Sequence, residues 1–415
     1  MGKHVCIIGS GIIGLTAAYY LKRAGHQVTV LDQQSAADGC STGNAGMIVP
    51  SHIIPLAAPG MVAQFVRWMF DSKSPFYVRP RMNMELLQWG YQFYRHATRQ
   101  HVSQSIPALK AISLYSKAAY QELQQAPPFD FGYHERGLLM LYQTAATEHE
   151  ETETAAVANQ HGVAAEILSA TAVQAMEPNH QVKVRGGVYF PGDAHLNPAM
   201  LWQGLYEWLT KQQVNIRQDA AVRSFETDNK GVKAIITDQD DIRPDEVVIA
   251  AGAWTGAIVR GLGVPLPMQA GKGYSFMMSM QPNLNVPSLL LESRVAVTPM
   301  GESLRMGGTM EIAGVNHTIN MKRVQGIVEA VPRYYPDIRP ALPDVKTVWH
   351  GLRPCSPDGL PYVGRLNRCH NVTVAAGHGM MGLSLAPGTG KLVTSIIQEE
   401  TPAIDLQPFN PNRYA

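Results

Sequence analysis

Six residues near the start of the chain, Gly9-Ser10-Gly11-Ile12-Ile13-Gly14, have the types and spacing of a phosphate-binding turn. They follow an apolar run over 4–8 that reads as a strand. They open a helix-like pattern over 12–24, marked by Ile12, Leu15, Ala18 and Tyr19 and closed by Gly25. In that setting each glycine has a task. Gly9 permits the tight turn, Gly11 lets the backbone approach a pyrophosphate, and Gly14 lets the helix pack on the strand. The helix start adds N–H donors and the positive end of its dipole. Residues 27–31 supply the second strand of a βαβ unit. Asp32 ends that strand, followed by Gln33, about 20 residues on, where a carboxylate can accept from a ribose hydroxyl. The string does not by itself separate one dinucleotide from another.

Four further segments have residue types suited to a flat ligand. Ser41-Thr42-Gly43-Asn44-Ala45-Gly46-Met47 combines small residues with hydroxyl and amide groups, so the backbone can pass close to a ring and hydrogen-bond it. Val247-Val248-Ile249-Ala250-Ala251-Gly252-Ala253-Trp254 is an apolar strand ending in small residues, a second place for close approach. Gly351-Leu352-Arg353-Pro354-Cys355-Ser356-Pro357-Asp358-Gly359 carries a guanidinium among turn residues. Gly377-His378-Gly379-Met380-Met381-Gly382-Leu383-Ser384 follows an apolar strand and precedes a helix. Fixed N–H groups there would stabilise negative charge gathering on a reduced ring. Taken singly, each is matched by an ordinary turn or buried strand.

The elements that must position these groups are legible in outline. Helices are expected over 59–70, 83–99, 103–125, 155–162, 169–177, 198–211, 319–335 and 387–398. Strands are expected over 137–142, 185–190, 220–226, 232–237, 273–280, 289–298, 304–312 and 371–376. βαβ-type segments lie at both ends of the chain and around position 250. The expected fold is therefore α/β with an α+β second domain. A Rossmann-like nucleotide domain is built from 1–80, 180–265 and 345–415. A substrate domain on a large mixed sheet is inserted as 81–179 and 266–344.

Bulk properties agree with an enzyme of this size and exclude some classes. A chain of 415 residues is longer than one core usually organises. With 45% apolar and 16% charged residues it is globular in composition. A net charge of +1 leaves no field to recruit nucleic acid. The four cysteines, Cys6, Cys40, Cys355 and Cys369, form no CxxC pair and read as reduced thiols. No secretory pattern opens the sequence, and no apolar run approaches the roughly 20 residues of a membrane span. The expectation is a cytoplasmic protein without a metal, with peripheral contact to the inner membrane and association with other subunits left open.

Together these segments resemble the D-amino-acid oxidase superfamily of FAD enzymes, and among them the bacterial D-amino-acid dehydrogenases of the D-proline and hydroxy-D-proline type. The resemblance runs the length of the chain in order, through GSGIIG, the SxxNAG loop, GDAHLNP at 192–198, VVIAAGAW, GKGYSF at 271–276, RVAVTPMG at 294–301, GLRPCSPDGLPYVG and GHGMMGLS. It implies bound FAD, a substrate domain lying over the flavin, and hydride transfer from an amino acid's α-carbon to flavin N5. It implies that Arg353 holds the substrate carboxylate, since a guanidinium can clamp a carboxylate with two parallel bonds. It places the cofactor against the motifs above and against Val222, Ala251, Gly252, Trp254, His378 and Met381. Asp32 stands where glutamate is commoner in the family. Tyr274, His52 and Glu292 are candidates for facing the substrate. The natural acceptor is expected to be a quinone or another carrier rather than oxygen.

Other readings remain open on sequence alone. A glycine- or sarcosine-oxidase-like enzyme would pass its electrons to oxygen. Cys355 or Cys369 could carry a covalent flavin. An FAD-binding tRNA partner would normally show a basic surplus, which the chain lacks. An NAD(P)-linked reductase would normally show a second GxGxxG opening a βαβ unit; Gly377-His378-Gly379-Met380-Met381-Gly382 has that spacing, but no second strand with a terminal acid follows it.

Overall fold

The computed structural model describes residues 2–34, 39–61, 76–79, 83–125, 129–229, 231–281 and 283–415. The expected helix over 59–70 lies almost wholly outside them.

The first strand, His4–Ile8, lies between Gln27–Leu31 and Glu246–Ile249, parallel to both. Asn215–Arg217 and Val372–Ala376 extend this sheet in parallel, and Tyr362–Arg365 closes one edge antiparallel. A parallel sheet must be covered on both faces, so its strands read as continuous apolar runs. Helix Ile12–Arg23 covers one face and buries Leu15 and Leu21 completely, contributing about 1.5–3 kcal/mol each. It packs against the last helix, Ala386–Gln398, in the same core.

The second sheet has nine strands. Trp349–Cys355, Gln269–Ser279, Ser303–Ile312, Val295–Met300, Ser288–Leu290, Leu138–Tyr142, Gly186–Phe190 and Glu166–Ser169 follow in that order, and Phe76–Val78 pairs with the end of Ser303–Ile312. Its back is covered by helix Met321–Tyr334, which buries Val324, Ile327, Val331 and Tyr334. Every residue of Val295–Met300 is buried, as in a strand covered on both faces. Two strands assigned to the nucleotide segments in sequence, Gly186–Phe190 and Trp349–Cys355, are hydrogen-bonded into this larger sheet instead. Conversely, helix Arg99–Gln125 packs against Ala386–Gln398 on the nucleotide side. Neighbours far along the chain, not local composition, decide sheet membership.

Two elements differ in extent from expectation. The run over 289–298 is broken by a turn at 291–294, where Arg294 takes φ +51° with no glycine or proline to announce it. The helix expected over 155–162 is Ala145–Gln160. Its first turns lack an apolar stripe, but Thr144 caps it by accepting from Thr147 N, which replaces the missing sequence signal with a local bond.

Candidate functional site

A cavity of about 1460 Å³ separates the carboxyl ends of the parallel strands from the nine-stranded sheet. It exceeds the roughly 300–1,000 Å³ of a typical small-molecule pocket, as a cofactor plus substrate requires. Ile8, Leu31 and Ala376 line it from the first sheet, and Ser275, Gly307 and Arg353 from the second. Ligands of doubly wound sheets bind at such carboxyl ends.

The glycine turn is formed as its spacing requires. Gly9 has φ +112°, and a Cβ at Gly14 would lie 1.9 Å from the Gly9 carbonyl oxygen, so helix and turn meet without side chains. At Gly11 an added Cβ would meet only Ser41 Oγ, at 3.5 Å, which leaves open space for a pyrophosphate. Gly9, Gly11, Ile12, Ile13, Asp32 and Gln33 all line the cavity. Asp32 Oδ2 accepts from Ser10 N at 2.7 Å and Ser10 Oγ at 2.6 Å, so the turn aims the carboxylate. Oδ1 accepts from Gln34 N at 3.2 Å and retains capacity for a ribose hydroxyl.

Ser41, Asn44, Ala45 and Met47 line the cavity, while Thr42 and Gly46 do not. The loop is fastened to the large sheet by a residue the sequence did not single out. Buried Arg305 donates through Nη1 to the carbonyls of Thr42 (2.8 Å) and Asn44 (2.9 Å), and Ser275 Oγ donates to Gly43 O at 2.7 Å. Burial pushes the Arg305 guanidinium down to about 10. Its only sequence signal is a cation inside an apolar strand.

Val222, Ala251, Gly252 and Trp254 line the nucleotide side. Gly377, His378, Met381, Gly382 and Leu383 line the opposite end. Ser384 instead accepts from Val49 N at 3.0 Å, and Gly14 is covered by the turn. His378 Nε2 pairs with Thr389 Oγ1 at 3.1 Å. Burial pushes its ring down to about 3, so it stays neutral.

Arg353 lies on Trp349–Cys355 opposite Gly271, and Nη1 donates to Thr309 O at 2.7 Å. A Cβ at Gly273 would lie 2.3 Å from both terminal guanidinium nitrogens, so glycine there makes their room. Among the described residues no carboxylate lies within ion-pair distance of Arg353. Burial lowers its pKa, with only Cys355 and Cys40 pulling back.

The other substrate candidates separate. His52 lines the cavity, and burial with Arg294 nearby pushes its ring down to about 4. Tyr274 contributes to the wall, but its hydroxyl points to the back of the sheet. There it donates to Glu311 Oε1 at 3.2 Å and accepts from Asn320 N at 3.1 Å. Period-two alternation explains this, since Lys272 on the same strand joins the same buried network. Glu292 does not line the cavity. Its Oε1 accepts from Gln143 N and Thr144 N, and Oε2 accepts from Tyr334 Oη, which ties a turn to the back helix. Glu151 is the buried carboxylate that does line the cavity; nothing in its acidic helix distinguishes it in sequence. Cys355 also lines the cavity, with its thiol pushed up to about 11 by burial. Cys369 is buried in a core cluster and does not line the cavity.

Among the described residues, Glu151 Oε2, Thr309 Oγ1, Ser356 Oγ and His378 Nδ1 are buried polar atoms on the cavity lining without a protein partner. Buried polar groups are normally paired, so a bound ligand is a natural partner for them. The open space at Gly11, the aimed Asp32 and the glycine-rich far end fit a flavin dinucleotide laid from turn to large sheet. Bound there, FAD supplies a two-electron acceptor for a hydride.

The chain matches the FAD dependent oxidoreductase family over residues 4–396. It is 30% identical over 419 positions to a D-amino acid dehydrogenase of Granulibacter bethesdensis, covering 99% of this chain and 100% of that protein. The solved glycine oxidase from Geobacillus kaustophilus superimposes with a TM-score of 0.79 at 22% identity, covering both chains completely. The L-proline dehydrogenase from P. horikoshii gives a TM-score of 0.72 at 17% identity, covering 100% of this chain and 98% of that one. These two likenesses show a shared fold. With a glycine turn, an aimed ribose acid and a cavity sized for dinucleotide and substrate, the chain belongs to the FAD dependent oxidoreductase family.

Proposed function

We propose that the protein dehydrogenates the carbon–nitrogen bond of a small D-amino acid, with D-proline or 4-hydroxy-D-proline as the favoured type. The observation that carries this reading is Arg353, a half-buried cation in the cavity wall with no carboxylate within ion-pair distance among the described residues, held ready for a carboxylate. The named activity of the Granulibacter relative supports it. The α-carbon loses a hydride and the amine loses a proton, leaving an imino acid. The product hydrolyses to an oxo acid and ammonia, or stays a cyclic imine when the substrate is a proline. His52 and His378 are held neutral by burial, and an amine bound neutral needs no protein base before hydride leaves.

Met47, Met380 and Met381 line the cavity and give an adaptable apolar wall, whereas Ile48 is turned into the core. A ring hydroxyl would be read by His52 or Glu151, not by Tyr274 or Glu292. Steady-state kinetics on D-proline, cis-4-hydroxy-D-proline, D-alanine and their L-forms test the assignment. Preference for an L-amino acid, sarcosine or glycine would overturn it. The proposed acceptor is a quinone or dye-like carrier. Hydrogen peroxide formed in step with substrate, at the dye-coupled rate, would assign an oxidase instead.

A further inference from the structure

Thr309 combines three features that no structural role within the protein explains. It sits at a bulge: pairing of Ser303–Ile312 with Gln269–Ser279 steps from Gly308 opposite Tyr274 to Glu311 opposite Lys272, so Thr309 and Met310 together oppose Gly273. Its φ is +66°, a region β-branched residues avoid. Its hydroxyl is buried without a partner among the described residues, although the residue lines the cavity.

The bulge has a geometric consequence. Before it, Arg305 and Gly307 face the cofactor loop and cavity, and Leu304 and Met306 face the back helix. After it the alternation is reversed, with Met310 and Ile312 on the cavity side and Glu311 in the back network. Thr309 is the extra residue, and its carbonyl is the acceptor that holds Arg353 Nη1 at 2.7 Å. Glycine would adopt this backbone without strain and keep the same carbonyl. A threonine held there at a cost, with an orphaned hydroxyl, indicates a side-chain interaction completed only when ligand is bound.

We propose that the Thr309 hydroxyl donates to the substrate carboxylate seated on Arg353. Thr309 is then both a specificity-determining residue for that carboxylate and, through its carbonyl, a positioning residue for the guanidinium. A carboxylate offers about four acceptor sites, so an arginine fork leaves room for a third donor. The inference rests on the reading of Arg353 as the carboxylate clamp.

The test uses FAD-loaded wild type, Thr309→Val, Thr309→Ser and Thr309→Gly. Ligand binding is read from the flavin absorbance change on titration with pyrrole-2-carboxylate, a planar carboxylate with no hydride to give, and with pyrrolidine, an amine without a carboxylate. Thr309→Val and Thr309→Gly should retain FAD but bind pyrrole-2-carboxylate about 10-fold or more weakly, with the kinetic loss on D-proline heavier in KM than in kcat. Thr309→Ser should recover most of the affinity. Thr309→Gly should melt no lower than wild type, so affinity and stability part company, which a purely structural role would not produce. Should Thr309→Val fail to hold FAD, the glycine variant decides. Carboxylate binding within about twofold of wild type in the hydroxyl-free variants, or a loss seen only with pyrrolidine, would overturn the proposal. A wild type that holds FAD but binds no carboxylate would overturn the Arg353 reading and this inference with it.

Discussion

At the scale of single residues, the site is organised around a cation that has no counter-ion among the described residues. Arg353 is held in the cavity wall because Thr309 O accepts a hydrogen bond from its Nη1 and Gly273 leaves space for its fork. Two variants probe this from opposite sides. Arg353→Ala removes the fork and should lower kcat/KM by about 100-fold or more, with FAD retained. Turnover within threefold or so of wild type would show that the carboxylate sits elsewhere. Gly273→Ala leaves Arg353 in place but puts a methyl 2.3 Å from its nitrogens. The guanidinium must move, and KM should rise in a protein whose flavin spectrum is unchanged. An unchanged KM would mean that the guanidinium position is not critical.

At the scale of elements, the glycine turn and the small-residue loop are the parts that touch the nucleotide. Gly11→Val fills the space reserved for a pyrophosphate, and the purified variant should have lost most of its absorbance near the flavin bands. This region was legible in sequence because all its determinants are local: strand, turn, helix and terminal acid lie within 32 residues. Tyr274 and Glu292 were misplaced for a physical reason. Tyr274 faces the back because pairing with distant strands sets which face its residues take, and Glu292 lies in the turn at 291–294, where Gln143, Thr144 and Tyr334 hold it. Arg305 and Thr309 were missed because each acts through neighbours far along the chain. The segment Ser51–His52 shows the same long-range control. Asp193 accepts from Ser51 N at 3.1 Å and from Ser51 Oγ at 2.5 Å, and so holds the loop that carries His52. Burial raises the Asp193 carboxyl to about 7 despite those bonds. A folded pKa above the unfolded one means stability is fully present below about pH 4 and is lost as pH rises through about 7, by up to about 4 kcal/mol. Asp193→Asn keeps both contacts without the titration, its oxygen accepting from Ser51 N and its amide NH2 donating to Ser51 Oγ. Its melting temperature relative to wild type should therefore climb between pH 4 and pH 8, and a flat difference would show that Asp193 is ionised at little cost.

At the scale of the whole molecule, two sheets with separate cores meet at one cavity. One end is built from the glycine turn and the carboxyl ends of the parallel strands, the other from Arg353 and its neighbours on the large sheet. A ligand spanning both ends binds the folded protein only, and so couples the two halves. FAD at 100 times its Kd should add about 2.7 kcal/mol, raising the melting temperature on the order of 5 °C. ADP carries the pyrophosphate and ribose but not the ring system. It should be held by the turn and Asp32 yet leave the far side of the cavity unfilled. Stripped protein titrated in a thermal melt should therefore recover only part of its stability with ADP and all of it with FAD, and Gly11→Val should blunt both responses. If ADP restored as much stability as FAD at equal concentration, the ring end of the cofactor would make no net contribution. The large sheet would then be a separate platform for substrate, and not the second half of the cofactor site.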